Sequence, residues 1–191
     1  MKAILAILAF LGSLLLLPQA RAEAAEAHIS PIKVVIDGDR VLAEFALRHG
    51  FNHRLTQRID SGLPTSILYR IELYRDRKHW LDQHLSENTL EVVAMFDAVA
   101  RVYNVYFKLD DKLIESRVLH DLKAVEEAMT LIGPLPVFPV SALPERGRVL
   151  LRVRAEMGSR TVLSFIPVSI STGWEDSPKF RAPAPAPTPV P

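Results

Sequence analysis

The chain of 191 residues carries 23 basic and 22 acidic side chains, no cysteine, and an apolar share of 49%. This composition is typical of one globular domain, and it excludes disulfide bonds, thiolate metal sites and the basic excess of a nucleic-acid-binding protein. We therefore expect the hydrophobic core alone to hold the fold together.

The first 22 residues have the pattern of a secretory signal peptide. Lys2 precedes an apolar run of about fifteen residues at positions 3–17, and Pro18 ends that run. The sequence Ala-Arg-Ala ending at Ala22 predicts cleavage after that residue, and a bacterial periplasm is the expected compartment. An uncleaved anchor is the alternative, although spanning a bilayer takes about twenty apolar residues. Cleavage would leave 21 basic and 22 acidic side chains, because Lys2 and Arg21 are removed, so the charge changes from +1 to −1.

A linker at residues 23–30 leads into a predicted β-hairpin. Apolar runs at 32–36 and 41–47 flank an Asp-Gly pair, and Gly38 can take the positive φ that tight turns require. Alternate residues of each run are predicted to share a face, and those of the second run are Val41, Ala43, Phe45 and Leu47.

A short helix is predicted over residues 52–61. Asn52 is the expected N-cap, Gly62 is suited to the position after the helix, and Pro64 prevents its continuation. The apolar residues that recur every four positions on one face are Phe51, Leu55 and Ile59.

The next predicted strand starts with the sequence ILYRIELYR and runs on to residue 80. Its buried face is formed by Ile67, Tyr69, Ile71 and Leu73. Residues 83–88 are predicted to turn the chain and residues 90–96 to return along it. Such a hairpin is too long to pack along its whole length, so its distal part should project into solvent. The distal side chains are Arg75, Arg77, Lys78, His79 and Trp80.

The rest of the chain is predicted to add four strands and a second helix. The strands cover residues 102–107, 113–118, 148–157 and 162–170, with turns at Asp110-Asp111 and Gly158-Ser159. The helix starts after Asp121 and ends at Gly133-Pro134, and a stiff proline-rich connection follows it. Trp174 is expected to pin the C-terminal end to the body.

These elements predict a mainly β protein: an antiparallel two-layer β-sandwich of about eight strands with two short helices. The single globular domain should cover residues 31–178, and the Ala/Pro-rich residues 179–191 should form a disordered tail. The alternative is one curved sheet with both helices packed on its open face.

The candidate chemical sites are weak. His49 and His53 have the i, i+4 spacing of metal ligands, and His79 and His84 flank a predicted turn, but no cysteine or HExxH sequence completes a site. Asp97 could be a general base, yet a turn cap or a salt bridge to Arg101 is the favoured interpretation. The aspartates at 37, 39, 110 and 111 lack the calcium-loop pattern and are favoured as turn residues. We predict no catalytic residue, no metal site and no cofactor.

Several motifs in order resemble one bacterial family. They are SGLP after the first helix, the strand ILYRIELYR, a basic stretch with Trp, a strand ending MFD, the strand VARVYNVYF, and later DLKAVEEAMTLIGPL and VLLRVRAEM. This order resembles the exported family catalogued as domain of unknown function 4390 over roughly residues 28–176. The residues that carry the resemblance are Gly62, Pro64, Tyr69, Arg75, Trp80, Asp97, Arg101 and Tyr103, while Phe96 stands where similar proteins have Tyr.

The resemblance implies an exported, β-rich domain with no assigned catalytic residues. In some proteobacteria, similar proteins are encoded beside a sensor kinase of the nitrogen-regulation type, which implies a membrane partner. Gly62, Pro64, Asp97, Arg101 and Tyr103 are expected to be structural.

The favoured hypothesis is a non-enzymatic periplasmic protein-interaction module, with an accessory role to a membrane sensor kinase as its finer form. The interaction hairpin would use Arg75, Arg77, Lys78 and Trp80, because Arg and Trp are preferred interface anchors. The alternatives are a small-ligand or lipid-binding module, with a pocket lined by Phe51, Leu55 and Tyr69, and an enzyme without a recognisable motif. No nucleic acid is expected as a partner, and no transmembrane segment is expected in the mature chain.

Overall fold

The computed structural model describes residues 26–77, 81–162 and 166–183, and these form two antiparallel sheets and two α-helices. The helices are α1 (His53–Asp60) and α2 (Leu122–Thr130), and a short 3-10 helix covers Val140–Ala142. The strands are β1 (His28–Ile29), β2 (Lys33–Asp37), β3 (Arg40–Arg48), β4 (Thr65–Arg75), β5 (Gln83–Asp97), β6 (Val102–Leu109), β7 (Lys112–Leu119), β8 (Leu131–Pro139), β9 (Val149–Val162), β10 (Ile166–Ser171) and β11 (Glu175–Asp176).

The two sheets confirm the predicted mainly β, sandwich-like architecture. The smaller sheet has the order β1-β3-β2, with β8 also paired to β3. The larger sheet has the order β10-β9-β4-β5-β6-β7, with β11 also paired to β9. Each of the eight strands expected from the sequence has a counterpart, and β1, β8 and β11 are additional.

The core lies between the inner faces of the sheets, where β3 faces β4. The alternate residues Ile67, Tyr69, Ile71 and Leu73 have no solvent exposure. The ring of Tyr69 meets that of Phe45 from β3 edge to face, with centroids 5.4 Å apart. Helix α2 closes the core because Val125 and Met129 point into it. The alternation read from the sequence therefore predicted the buried face of both central strands.

Local signals set both helix starts and the first turn. The Asn52 carboxamide oxygen accepts hydrogen bonds from the backbone N–H groups of Arg54 and Leu55, and the Asp121 carboxylate accepts one from Ala124. Gly38 has a φ of +56° in the turn between β2 and β3. These are the caps and the turn that the sequence predicts.

The predicted turn at residues 83–88 is wrong, because these residues belong to β5. Strand β5 pairs with β4 as far as Arg75 opposite Gln83, so the connection is short. The polar residues that suggested a turn lie on a strand with one solvated face, where polar side chains are normal. Of this connection, residues 78–80 lie outside the described part of the chain.

The prediction that the distal hairpin projects from the body is wrong for Arg75. Strand β4 has a second partner, β9, and this pairing also continues to the strand end, with Arg75 opposite Val149. The backbone N–H of Asp76 then donates to the Arg148 carbonyl at 2.9 Å. Strand β4 is therefore paired on both sides up to its last residue, and its end lies within the sheet.

Two predictions for the later elements are also wrong. Helix α2 ends at Thr130, and the proline-rich residues form β8. Proline is tolerated there because β8 pairs on only one side among the described strands. The expected turn at Gly158-Ser159 lies inside β9, and residues 163–165, which connect β9 to β10, lie outside the described part.

The described body extends slightly beyond the predicted domain at both ends. Strand β1 lies within the predicted linker and pairs with the end of β3. Phe180, within the predicted tail, forms a bridge with Val149. The predicted signal peptide lies outside the described residues. None of the helices formed by the described residues is long and apolar enough to span a bilayer.

Candidate functional site

The predicted interaction hairpin divides into a fixed base and an exposed end. The Arg75 guanidinium donates to the backbone carbonyl of Arg146 at 3.0 Å, so it joins β4 to the loop before β9. Arg77 is exposed and donates from its backbone to Asp82 and from its side chain to Gln83. Of the other predicted hairpin residues, Lys78, His79 and Trp80 lie outside the described part of the chain.

Asp76 fixes the base of this loop. Its carboxylate accepts from Lys179 Nζ at 2.9 Å and lies 2.8 Å from Arg148 Nη2. The hydrogen bond from Lys179, together with the charges of both cations, holds the pKa of Asp76 below its ordinary value. The C-terminal segment is thus tied to the β4–β5 loop. Beyond this clamp, Leu81 is 92% exposed, so an apolar side chain joins Arg77 at the surface.

Strand β7 is a more extensive exposed element than the described part of the hairpin. Seven of its eight residues are exposed, and it pairs with only β6 among the described strands. Its large apolar side chains include Leu113 at 60% exposure and Val118 at 61%. It contains neither proline nor glycine. The sequence predicted a strand here but gave no sign that its second edge is free, because edge position depends on the topology.

A groove runs between β7 and β8, the outer strands of the two sheets on this side. It encloses a cavity of about 180 Å³. Its apolar lining residues include Leu90, Phe107, Ile114, Leu131, Pro134 and Leu135. Because three residues of β8 are prolines, that strand has fewer N–H groups to offer than β7. The groove therefore has one wall suited to backbone pairing.

A carboxylate–histidine cluster lies on the outer face of the larger sheet. Glu72 of β4 and Glu87 of β5 are directly opposite each other, and His84 is opposite Tyr74. Ligand atoms of Glu72, His84 and Glu87 all lie within 4.8 Å of one another. Glu87 also accepts a hydrogen bond from Arg70 at 3.2 Å. The sequence pattern pairs His84 with His79 and does not reveal the two carboxylates, because Glu72 and Glu87 approach His84 only through the strand register.

The pocket predicted between sheet and helix differs from the cavity that lies beside α1. Tyr69 is wholly buried, and its hydroxyl is used inside the core. A cavity of about 210 Å³ beside α1 is lined by Leu55, Thr65 and Met157 among others, but by neither Phe51 nor Tyr69. Small-molecule pockets usually enclose about 300–1,000 Å³. This cavity therefore gives little support to the ligand-binding alternative.

The other candidate metal and acid–base groups are dispersed. His49 has a φ of +57° and precedes α1, so it does not share a helical face with His53. Its ring instead lies 5.7 Å from that of His28. The aspartates considered for calcium occupy turns of two different sheets: Asp37 and Asp39 flank the β2–β3 turn, and Asp110 and Asp111 form the β6–β7 turn.

Comparison with known families identifies the domain. The family described as "Domain of unknown function (DUF4390)" matches residues 24–168. The chain belongs to the DUF4390 family. This confirms the resemblance read from its motifs. No curated protein and no solved structure matches the chain significantly.

In this DUF4390 domain, the residues predicted to be structural gather at the corner between α1, β5 and β6. Gly62 has a φ of +77°, and a Cβ there would lie 3.3 Å from the Phe96 carbonyl oxygen. Tyr103 donates to the Asp60 carboxylate at 2.8 Å. Burial, followed by this carboxylate, raises the pKa of Tyr103.

Asp97, Arg101 and Pro64 also have structural positions at this corner. One oxygen of Asp97 accepts from the backbone N–H groups of Val99 and Ala100 at 2.9 and 3.0 Å. Arg101 takes a φ of +56° in that turn, and Pro64 lies between α1 and β4. Asp97 is therefore a turn cap in this DUF4390 domain, which accounts for it without a catalytic role.

Proposed function

We propose that the domain is a non-enzymatic protein-interaction module of the periplasm that binds an envelope or membrane protein. The observation that carries the proposal is β7: an edge strand with seven exposed residues and no proline or glycine. Natural proteins usually protect such edges, because unpaired backbone groups recruit strands from other chains. Here the protection is limited to a β-bulge at Ile114 and three charged side chains, and the length of the edge favours a partner that supplies a strand.

The proposed contact is strand addition along β7. An extended segment of the partner would pair its backbone with the free edge, while alternate side chains would fit against the neighbouring surface. The groove beside β7 offers apolar contacts to one face of that segment through Ile114 and Leu131. Leu113 and Val118 offer further apolar contact at 60% and 61% exposure. Backbone pairing provides affinity, and the groove provides sequence preference.

The β4–β5 loop provides a second, smaller contact in this proposal. Arg77 and Leu81 combine a cation with an apolar side chain that is 92% exposed. Arg75 is not proposed to contact the partner, because its guanidinium donates to the Arg146 carbonyl within the domain. The finer proposal for the partner is the outer segment of a membrane sensor kinase, and its support is the family resemblance.

The test is crosslinking in the native cells with a photoreactive amino acid at successive β7 positions. We expect crosslinks from Glu115, Ser116, Arg117 and Val118, which all follow the β-bulge at Ile114, to one protein, at positions that advance by about one residue from one β7 site to the next. Such a ladder is specific to strand pairing, whereas contact through side chains alone gives scattered positions. The matched control is Val99, an apolar turn residue that is 96% exposed.

The variant that tests the contact is Leu113→Lys with Val118→Lys. Both side chains are mostly exposed, so the melting temperature should stay within a few degrees of the wild type while capture is lost. Val99→Lys should retain capture. Unchanged capture by the β7 variant, or crosslinks without regular spacing, would rule out strand addition at this edge.

A further inference from the structure

We infer that Glu72, His84 and Glu87 form a binding site for a divalent transition-metal ion, with Zn²⁺ as the ion that fits best. Their ligand atoms converge within 4.8 Å of one another on the outer face of the larger sheet. Zn²⁺ binds imidazole nitrogen and carboxylate oxygen at about 2.0–2.2 Å, so a single ion among three groups at this spacing is feasible. The three side chains come from two adjacent strands, which limits their relative movement.

A β-bulge brings His84 into the cluster. Leu73 is opposite Ser86, but Tyr74 is opposite His84, so Leu85 is an extra residue on β5. Leu85 packs against the core. Without the bulge, Leu85 would be opposite Tyr74 on the outer face, and strand alternation would direct His84 inward. Bulges re-aim side chains in this way and are common next to functional sites.

The pairing of Glu72 with Glu87 is costly without a cation. Like charges directly opposite each other on neighbouring strands destabilise a sheet. Arg70 and Arg152 compensate only in part. Nη1 of Arg70 lies 3.2 Å from Glu87, while its Nε is engaged with Glu156 at 3.0 Å. Arg152 is opposite Glu72 on β9, but its guanidinium donates two hydrogen bonds to Asp176. A bound divalent ion would neutralise both carboxylates and leave Arg70 to orient Glu87, as supporting residues do around metal ligands.

The ligand chemistry selects among metals. Imidazole favours Zn²⁺, Cu²⁺ and Ni²⁺ over Ca²⁺ and Mg²⁺, which prefer oxygen ligands alone. The ring of Tyr74 lies 5.3 Å from that of His84 and supports its orientation. Three protein ligands leave a fourth position of a tetrahedral ion open to water or to a group from another molecule. His84 and Glu87 are exposed, so such a group has access.

The site can be tested by calorimetric titration of the metal-free protein with Zn²⁺. We expect one Zn²⁺ per chain, with at least about tenfold weaker binding in His84→Ala and in the double variant Glu72→Gln, Glu87→Gln. The control is His49→Ala, because His28 and His49 form a separate pair with ring centroids 5.7 Å apart. The melting temperature of each metal-free variant shows whether it remains folded.

A second measurement locates the ion independently of these variants. Paramagnetic Co²⁺ should shift the ring resonances of His84 more strongly than those of His28, His49, His53 and His120, the other histidines that the structure describes. Binding that survives His84→Ala unchanged, or that is lost in His49→Ala instead, would overturn the assignment. Failure of the wild type to bind Zn²⁺ in the millimolar range would do the same.

Discussion

The Tyr69 hydroxyl donates a 2.7 Å hydrogen bond to the backbone carbonyl of Met129 across the interior of the protein. Met129 lies in the last turn of α2, where carbonyl groups have no partner within the helix. The central strand of the larger sheet thus satisfies a buried carbonyl at the end of the second helix. This bond specifies the position of α2 between the two layers.

Replacement of Tyr69 by Phe should lower the free energy of unfolding by about 1–3 kcal/mol, because it leaves the buried Met129 carbonyl unpaired. The ring and its contact with Phe45 would remain. Urea denaturation with an unchanged m value would measure the loss. Tyr106→Phe is the control, since Tyr106 is only half-buried. Equal stability of the Tyr69 and Tyr106 variants would show that the buried bond contributes nothing.

The buried hydroxyl of Tyr69 should also make the stability of the protein depend on alkaline pH. Burial raises the pKa of Tyr69 far above its ordinary value of 10.0. Its contribution is therefore complete below pH 10 and is lost as the pH rises further, because the unfolded chain releases this proton first. Between about pH 9 and 11, stability should fall less steeply in Tyr69→Phe than in the wild type. Parallel curves would contradict this.

Gly62→Ala should destabilise the protein, whereas Gly133→Ala should not. The left-handed conformation that Gly62 takes at a φ of +77° costs a residue with a Cβ, such as alanine, about 1–2 kcal/mol. The added Cβ would also lie 3.3 Å from the Phe96 carbonyl oxygen, whereas at Gly133 it would meet no atom within 4 Å. Thermal melting compares the two variants, and an equal effect would refute the role assigned to Gly62.

The Asp76 clamp predicts the response to acid. Because its pKa is held below the ordinary 3.8, Asp76 contributes stability that is present above that pH and is lost as the pH falls through the folded-state value. Lys179→Met should raise the pKa of Asp76 towards its ordinary value, and NMR titration of the carboxyl carbon would detect this. Lys123→Met, on helix α2, is the matched control. An unchanged titration in Lys179→Met would mean that the clamp does not form in solution.

Arg75 and Arg77 should differ in their effect on stability although they are two residues apart. Arg75→Glu should lower the melting temperature, because it loses the bond to the Arg146 carbonyl. Arg77→Glu should leave it nearly unchanged, since this side chain is exposed and bonded only within its own loop. Partner capture should be reduced by Arg77→Glu. Identical melting curves for the two variants would contradict the division of the hairpin into a fixed base with Arg75 and an exposed end with Arg77.

Much of the fold could be read from the sequence because its signals are local. The alternation that buries Tyr69, the Asn52 cap and the Gly38 turn each depend on a few neighbouring residues. Strand β8 was missed because its three prolines are typical of irregular chain, and only the free side of an outer strand makes them acceptable.

The candidate sites were harder to predict because they depend on pairing between distant residues. Whether Arg75 is exposed depends on β9, whose pairing partner at this point is Val149. The approach of Glu72 to His84 depends on the one-residue shift at Leu85. Neither the second partner of a strand nor the position of a bulge is encoded in local alternation.

The position of β4 between β5 and β9 has a consequence for synthesis. Its first partner follows within a few residues, but its second begins only at Val149. A chain that emerges in order from its N-terminus can therefore pair β4 with β5 before the strand that covers the other edge of β4 has emerged. During that interval the apolar row from Ile67 to Leu73 lies beside unpaired backbone. The incomplete chain therefore exposes a second strand edge that the finished domain covers, and such edges promote aggregation.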